Sequence, residues 1–392
     1  MTYEIVTTDD QLSTLCQRLA AMPAIGLDTE FVSEYSYQPH LCLIQVAAGQ
    51  VRAVIDPLAV GSLTPFWTML IEPQREIIVH AGYQELRFIL QAVGAFPNNW
   101  FDVQLAAGMV GMDYPLSYSK LVAALLKQSL GKGETRTDWR QRPLTSSQLR
   151  YAMDDVLHLE PLHERLTKRL NELGRMAWFR GDTLAWQQEV QAADIAKPWW
   201  RVPGATGLSV KAQAIAQQIW LWRDAEAQRR NRSPRQVLRD DLLVEIARRE
   251  SSNVDQLLEV RGLEQRRVRD LLPQIAQCVK DAPSQPSPPL TSRARDVPSP
   301  KVHLLAQFLS PALAIVARSH NIAPVLLGTS QDIKDFVAYR LAGANRQRDM
   351  EQPALAQGWR AEIVGKVLDQ LLAGDRSLRI AAMQSEQPLA IE

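Results

Sequence analysis

Two carboxylates, Asp28 and Glu30, close the run Ile25-Gly-Leu-Asp-Thr-Glu-Phe31, whose apolar lead-in reads as a buried β-strand. Side chains at i and i+2 of a strand point to the same side, so both acids project together. Two like charges at that spacing call for a cation between them. Hard divalent ions such as Mg²⁺ take oxygen ligands from one or two carboxylates together with substrate phosphates, so phosphoryl chemistry is the reaction class the pair suggests. Strand ends are also commonly solvated and acidic, and the pair alone does not separate a metal site from a wet strand end.

A second constellation, Tyr151-Ala-Met-Asp-Asp155, lies in a stretch of helical periodicity from Thr145 to Leu173, with apolar residues at Leu149, Ala152, Met153, Val156, Leu157 and Leu159. Tyr151 and Asp155 are four apart and share a helical face. There a phenol and a carboxylate can serve one reacting centre, or simply hydrogen-bond on a helix surface. Between the two constellations, Val79-His-Ala-Gly-Tyr-Gln-Glu-Leu86 reads as a short strand turning through Gly82 into a helix, with Glu85 on its first turn. This is the third acidic position.

Taken in order, these segments resemble the DEDD superfamily of 3′-to-5′ exonucleases, in the subclass with a tyrosine in the third motif, and within it the ribonuclease D family. Asp28 and Glu30 match the first motif, the His80-Ala-Gly82 turn leading to Glu85 the second, and Tyr151 with Asp155 the third. Phe101-Asp-Val-Gln104, Lys132-Gly-Glu-Thr-Arg-Thr-Asp-Trp139 and Arg142-Pro-Leu144 are also typical of the family, and the resemblance covers nearly the whole chain. It implies two divalent metal ions, Mg²⁺ or Mn²⁺, and hydrolysis in which paired ions activate water and stabilise the departing oxygen. Asp28 would bridge both ions, Glu30 and Asp155 would complete the first site, Glu85 would help hold the second, and Tyr151 would orient or deprotonate the water.

One position departs from the pattern. The family's second motif ends in Asp, whereas this chain has Glu85. Glu keeps the charge and adds a methylene, and a misplacement of about 1 Å can cost about 100-fold in rate. Asp102, read as a structural cap, and Asp154, read as a solvated helix residue, are acids that could compensate. Lys132 and Arg136, in a polar loop ahead of the third motif, are candidates to hold substrate phosphates, or are solvated loop charges. Trp139, between Asp138 and Arg140, could stack on a base. His80 titrates near neutrality, but a histidine at a strand end reads as hydrogen-bonded support behind the acids.

At 392 residues the chain is long enough for two or three domains, and its 46% hydrophobic and 22% charged residues are ordinary for a globular protein. No run of about 18 apolar residues suggests a membrane span, and Met1-Thr-Tyr-Glu-Ile-Val lacks a signal-peptide pattern. Cys16, Cys42 and Cys278 are too few and too unevenly spaced for a disulfide framework, which fits a reducing cytoplasm. The net charge of +1 hides an asymmetry. From Arg201 onward 27 basic residues face 21 acidic ones, whereas before it 17 face 22. An acidic part with the metal site and a basic part that attracts phosphates suit a nuclease.

Thr8-Asp-Asp-Gln11 is a capping-box pattern followed by Leu12, Leu15, Cys16 and Leu19 at helical spacing. Strand-like runs at Ala24 to Phe31, Leu41 to Ala47 and Val51 to Asp56 predict an antiparallel meander, followed by strands at Glu76 to His80 and Trp100 to Asp102 around a helix at Tyr83 to Val93. This order fits a mixed β-sheet flanked by helices, and the resemblance makes it an α/β ribonuclease H-like exonuclease domain over residues 1–200. Pro198-Trp-Trp-Arg-Val-Pro-Gly204 marks a boundary. Helical patterns then fill 205–282, which resembles the helicase and ribonuclease D C-terminal (HRDC) domain, a small all-α nucleic-acid-binding module. Its Arg229, Arg230, Arg232, Arg266, Arg267 and Arg269 are candidates for phosphate contact or form a solvated face. The segment Glu259-Val-Arg-Gly-Leu-Glu264 is expected to open a helix whose N-terminus can bind phosphate. A Pro/Ser-rich linker is expected over 283–300, a second HRDC-like helical domain over 301–375, and a tail over 376–392, frayed after Arg379.

The leading functional reading is an exoribonuclease that trims 3′ ends of structured RNA, with tRNA precursors as the class implied by the resemblance and nucleoside 5′-monophosphates as products. A DNA exonuclease shares the same motifs, since telling RNA from DNA depends on contacts to the 2′-OH. A third reading has Glu85 disable the metal pair and leave an RNA-holding scaffold. No Gly-x-x-x-x-Gly-Lys loop is present, which argues against an ATPase.

Overall fold

The computed structural model describes residues 2–33, 36–131, 137–196, 199–263, 266–282, 299–343, 347–348, 350–385 and 387–392. Thr8 caps helix α1 (Asp9–Ala20) by accepting the Gln11 N–H, while the Gln11 side chain accepts the Thr8 N–H, so the expected capping box forms. Strands β1 (Glu4–Val6), β2 (Ala24–Val32), β3 (His40–Ala48), β4 (Val51–Ile55), β5 (Glu76–Val79) and β6 (Asn99–Asp102) build one sheet in the order β1-β4-β3-β2-β5-β6. The expected meander is β2-β3-β4, and β3 is the strand that runs against the others. The three-residue β1, too short to show a pattern in sequence, pairs in parallel with β4.

Alternation along β2 sorts its side chains between two cores. Ile25 and Leu27 face a layer made by α1, α2 (Thr64–Leu70) and α3 (Tyr83–Val93), where Leu15, Phe66, Leu86 and Ile89 are buried. Gly26, Asp28 and Glu30 face the opposite layer of α4 (Val103–Met109), α5 (Tyr118–Leu126), α6 (Ser146–Leu157) and α7 (Leu159–Glu172). The single helix expected from Thr145 to Leu173 is therefore two, broken at His158. Pro161 supplies the reason: it has no N–H to continue the ladder and its ring disfavours an uninterrupted helix.

After α8 (Met176–Ala196), helices α9 (Val210–Arg230), α10 (Pro234–Val237), α11 (Asp240–Arg249), α12 (Val254–Leu258), α13 (Arg266–Arg269) and α14 (Leu272–Asp281) enclose their own core around Ile215, Ile219, Leu243 and Ile275. The helix expected to carry Arg266, Arg267 and Arg269 is only the four-residue α13, too short to present an N-terminal anion site. Residues 283–298 of the expected linker lie outside the described residues.

The C-terminal module begins with α15 (Pro300–Ser319), followed by α16 (Pro324–Leu327), α17 (Ser330–Leu341) and α18 (Lys366–Ala373). Among the described helices α15 is the one long and apolar enough by composition to span a membrane. Here it buries Val302, Leu309, Leu313 and Val316 in the module's core. The frayed tail is not observed. Leu378–Ile380 and Leu389–Ile391 pair as a two-stranded sheet, closed by reciprocal Ser377 and Glu392 backbone hydrogen bonds, with Leu378 and Ile391 packed on the core.

This module is fastened to the N-terminal domain through α8. Asp182 accepts Arg360 Nη1 and Nη2 at 2.8 and 2.6 Å and Trp359 Nε1 at 3.1 Å, while the Trp359 ring stacks on Trp178 at 5.0 Å. Just before α8, buried Arg175 donates to the carbonyls of Met109, Asn321 and His320. Asp182→Ala would leave a largely buried guanidinium without its counter-charge and with the Leu326 carbonyl as its remaining acceptor. We expect it to lower stability by about 2–3 kcal/mol, read as a shifted urea midpoint together with faster proteolysis within 300–373.

Candidate active site

Two packing details bring α6 and α7 close to the end of β2. A Cβ on Gly26 would meet Leu159 Cβ and the Ala47 carbonyl oxygen at 3.3 Å, so glycine lets α7 lie directly on the strand. Thr145 caps α6 with a second capping box, to Gln148, which fixes the register at which Tyr151 and Asp155 emerge. The ladder between β2 and β3 shifts register at Glu30/Phe31, so pairing becomes irregular just past the second acid.

Asp28, Glu30 and Asp155 consequently converge, with carboxylate oxygens within 4.8 Å of one another and each residue half-buried. The Tyr151 phenol hydrogen-bonds Asp155. Among the described residues no Lys or Arg pairs with any of the three acids. Burial first, and then repulsion by Asp155 and Glu85, pushes Glu30 up to about 8. Burial followed by the charges of Glu85, Asp155 and Glu30 holds Asp28 well above the ordinary carboxylate range. Asp155 rises to about 7, mainly by burial and against the opposing Tyr151 hydrogen bond. The donors are all oxygen, which suits a hard divalent cation rather than the N and S ligands zinc favours.

Glu85 joins this cluster from the other layer. It is 5% exposed, stands outside the 4.8 Å trio, and accepts a hydrogen bond from Thr29 Oγ1 at 2.5 Å. Burial raises it to about 7 against the Thr29 hydrogen bond. Its helix is launched from a fixed turn: Asp102 accepts the Ala81, Gly82, Gln104 and Leu105 N–H groups, and a Cβ on Gly82 would lie 2.4 Å from Val79 Cγ2. Asp102 is thus the structural cap its sequence context suggests, and Asp154 is half-buried on α6. His80 Nε2 lies 2.9 Å from the Leu116 carbonyl oxygen, a supporting contact away from the acids.

The remaining sequence candidates divide. Lys132 and Arg136 lie outside the described residues, as do the side chains of Arg266 and Arg267. Trp139 is not a base-stacking platform. It is 5% exposed, with its ring 6.1 Å from that of Tyr151, while Asp138 and Arg140 pair with each other. Arg142 anchors this segment by a double contact to Asp56 and a 2.8 Å bond to the Cys42 carbonyl. Arg229 and Arg230 both hold Glu226, with the Arg229 side chain 68% exposed; Arg232 and Arg269 are also exposed. Asn231, amid this cluster, accepts the Tyr37 N–H at 3.3 Å, which sets the cluster beside the loop that leaves β2.

Sequence reasoning passed over two polar residues on β2 and β3. Thr29 was hidden between two acids. Gln45, paired in register with Asp28, is fully buried with no partner for either amide atom among the described residues. A lone amide in the apolar run Leu41 to Ala47 was the available signal.

Residues 3–171 match the family model of the 3′-5′ exonuclease domain and 212–279 that of the HRDC domain. The chain is 31% identical to ribonuclease D of Gluconacetobacter diazotrophicus over 92% of its length and 90% of that protein's. It is also 31% identical to that of Granulibacter bethesdensis, over 97% and 95%. The chain belongs to the ribonuclease D family. The crystal structure of Escherichia coli RNase D, described as an exoribonuclease involved in structured RNA processing, superposes with a TM-score of 0.83 at 28% identity, covering 95% of this chain and 99% of that one. The activity is accordingly that of a 3′-to-5′ exoribonuclease. Glu85 stands outside the close trio of acids, yet its charge acts on Asp28 from across the strand.

The raised acids set a pH dependence. An acid whose folded-state pKa is raised contributes its full share of stability below the unfolded value, about 4.3 for Glu, and loses it as the pH climbs toward the folded value. In chelator, the thermal midpoint is expected to fall between about pH 4.5 and about pH 8, the upper limit set by Glu30. Added Mg²⁺ should raise it most at the alkaline end, where the acids are already deprotonated. Asp28→Asn should flatten both trends.

Proposed function

We propose that this ribonuclease D trims the 3′ ends of structured RNA, with tRNA precursors as the substrate class, by two-metal phosphodiester hydrolysis that releases nucleoside 5′-monophosphates in the cytoplasm. The observation that carries the reading is the convergence of Asp28, Glu30 and Asp155 within 4.8 Å, with no Lys or Arg paired to them among the described residues. Asp28, Glu30, Glu85 and Asp155 would hold two divalent ions, Mg²⁺ or Mn²⁺. Bound there, the ions supply a water nucleophile at neutral pH and stabilise charge on the departing oxygen.

The chain's own residues do the positioning. Asp28 meets Glu30 on its own strand face and feels the charge of Glu85 from across the strand. Asp155 is oriented by Tyr151, whose phenol burial and the Asp155 charge keep protonated at neutral pH. Tyr151 is therefore a hydrogen-bond donor that orients the nucleophilic water's surroundings. The buried Trp139 ring backs it, which keeps the phenol directed at the acids. Arg229, Arg230 and Arg232, beside the loop that follows β2, would hold backbone phosphates upstream of the 3′ end, and Lys132, Arg136 and Arg269 would add to that track. The first helical module and a second HRDC-like module, docked through α8, would embrace the RNA body while its single-stranded tail enters the catalytic cluster.

The test uses a 5′-labelled RNA with a tRNA-like body and a 3′ extension. A metal-dependent ladder receding from the 3′ end is expected, and Asp28→Asn should abolish it. Tyr151→Phe, which keeps the ring packing and removes one orienting hydrogen bond, should reduce kcat by about tenfold with RNA affinity unchanged. Tight binding without shortening by the native chain would favour the scaffold reading instead.

A further inference from the structure

The longer acid at position 85 has a partner that accounts for it. Thr29 sits between Asp28 and Glu30, and alternation turns its side chain to the α3 face of the strand. Pairing of β5 with β2 ends at Gly26↔Ile78, so at Thr29 the edge of β2 toward β5 is open. Glu85, on the first turn of α3, reaches this open edge, and Thr29 Oγ1 donates to its Oε1 at 2.5 Å. Both residues are 5% exposed. One carboxylate oxygen is thereby engaged on the α3 side, while Glu85 remains the strongest of the acidic charges acting on Asp28.

The helix cannot slide to suit a shorter side chain. Asp102 pins the Ala81 and Gly82 N–H groups at 3.2 and 2.9 Å, and the Gly82 Cα hydrogens already abut Val79 and Trp100. With α3 fixed, an aspartate at position 85 would end about 1.5 Å short, one carbon–carbon bond, and would lose the threonine hydroxyl.

We propose that Thr29 is a positioning residue for the acidic site: its hydroxyl holds the Glu85 carboxylate at the edge of β2, and the Thr29–Glu85 pair takes the place of the shorter acid found in the family's second motif. The proposal rests on the reading of Asp28, Glu30, Glu85 and Asp155 as a divalent-cation site. Thr29 itself touches no ion or substrate. It acts by fixing where Glu85 can offer its remaining oxygen.

The experiment compares the full-length chain with Thr29→Val, Thr29→Ser, Glu85→Asp and the double variant Thr29→Val/Glu85→Asp. Circular dichroism verifies folding, calorimetric titration with Mn²⁺ reads the cation site directly, and shortening of labelled RNA gives kcat and KM. Thr29→Val is expected to weaken Mn²⁺ binding about tenfold or more and to lower kcat by a similar factor, the worth of a hydrogen bond to a charged group, with KM for RNA unchanged. Thr29→Ser, which keeps the hydroxyl, should restore both. Glu85→Asp should fall below the native chain, and adding Thr29→Val to it should cost little more, because the link is already broken.

The proposal is overturned if Thr29→Val binds Mn²⁺ and cleaves as the native chain does, if Glu85→Asp equals or exceeds the native rate, or if the two losses multiply. Should Thr29→Val not fold, Thr29→Ser and Glu85→Asp carry the same comparison with the core filled. Asp28→Asn separates this proposal from the one beneath it. If that variant still binds Mn²⁺ and cleaves, the cation-site reading itself fails, whereas an inactive Asp28→Asn alongside a native-like Thr29→Val removes Thr29 alone.

Discussion

Repulsion among buried like charges is the constraint around which this molecule is organised. Asp28, Glu30 and Asp155 offer oxygens within 4.8 Å of one another, and Glu85 adds a fourth acid from across the strand. In the low-dielectric surroundings of a protein interior such an arrangement is unfavourable unless protons or cations neutralise it. The fold holds the acids together regardless. That is the expected signature of a site arranged for a ligand rather than for stability.

The acids themselves are held in place by apolar packing and by helix caps. Gly26 admits α7 to the surface of β2, the Thr145 capping box fixes where α6 begins, and Asp102 fixes where α3 begins. Each of these sets the position of one acid. Arg142, clamped to Asp56 and to the Cys42 carbonyl, keeps Trp139 packed behind Tyr151. The C-terminal module, far along the sequence, is bound into the same core through Asp182, Arg360 and the stacked Trp178 and Trp359. The first helical module has a separate core and meets the loop after β2 at Tyr37, whose hydroxyl donates to Asp224 at 2.7 Å.

What was legible in the sequence was whatever follows from periodicity. Alternation put Asp28 and Glu30 on one face, spacing by four put Tyr151 with Asp155, and the capping pattern at Thr8 gave α1. The turn at Gly82 announced Glu85. Features that depend on contacts between distant segments were hidden. Trp139 seemed exposed because its neighbours are charged, yet Asp138 and Arg140 bond to each other and leave the indole to face inward. Thr29 could be assigned no partner until α3 was placed beside it. The closing hairpin consists of three-residue strands, too short for any periodic signal. The break at His158 did have a signal, Pro161, outweighed by the continuous apolar spacing on either side.

The most direct test of the cation site is crystallographic: crystals soaked in Mn²⁺ and measured at the manganese edge. The account requires anomalous density bounded by Asp28, Glu30 and Asp155, with a second peak toward Glu85, and its loss in crystals of Asp28→Asn. Manganese bound elsewhere on the chain, with no anomalous density at the cluster, would contradict it.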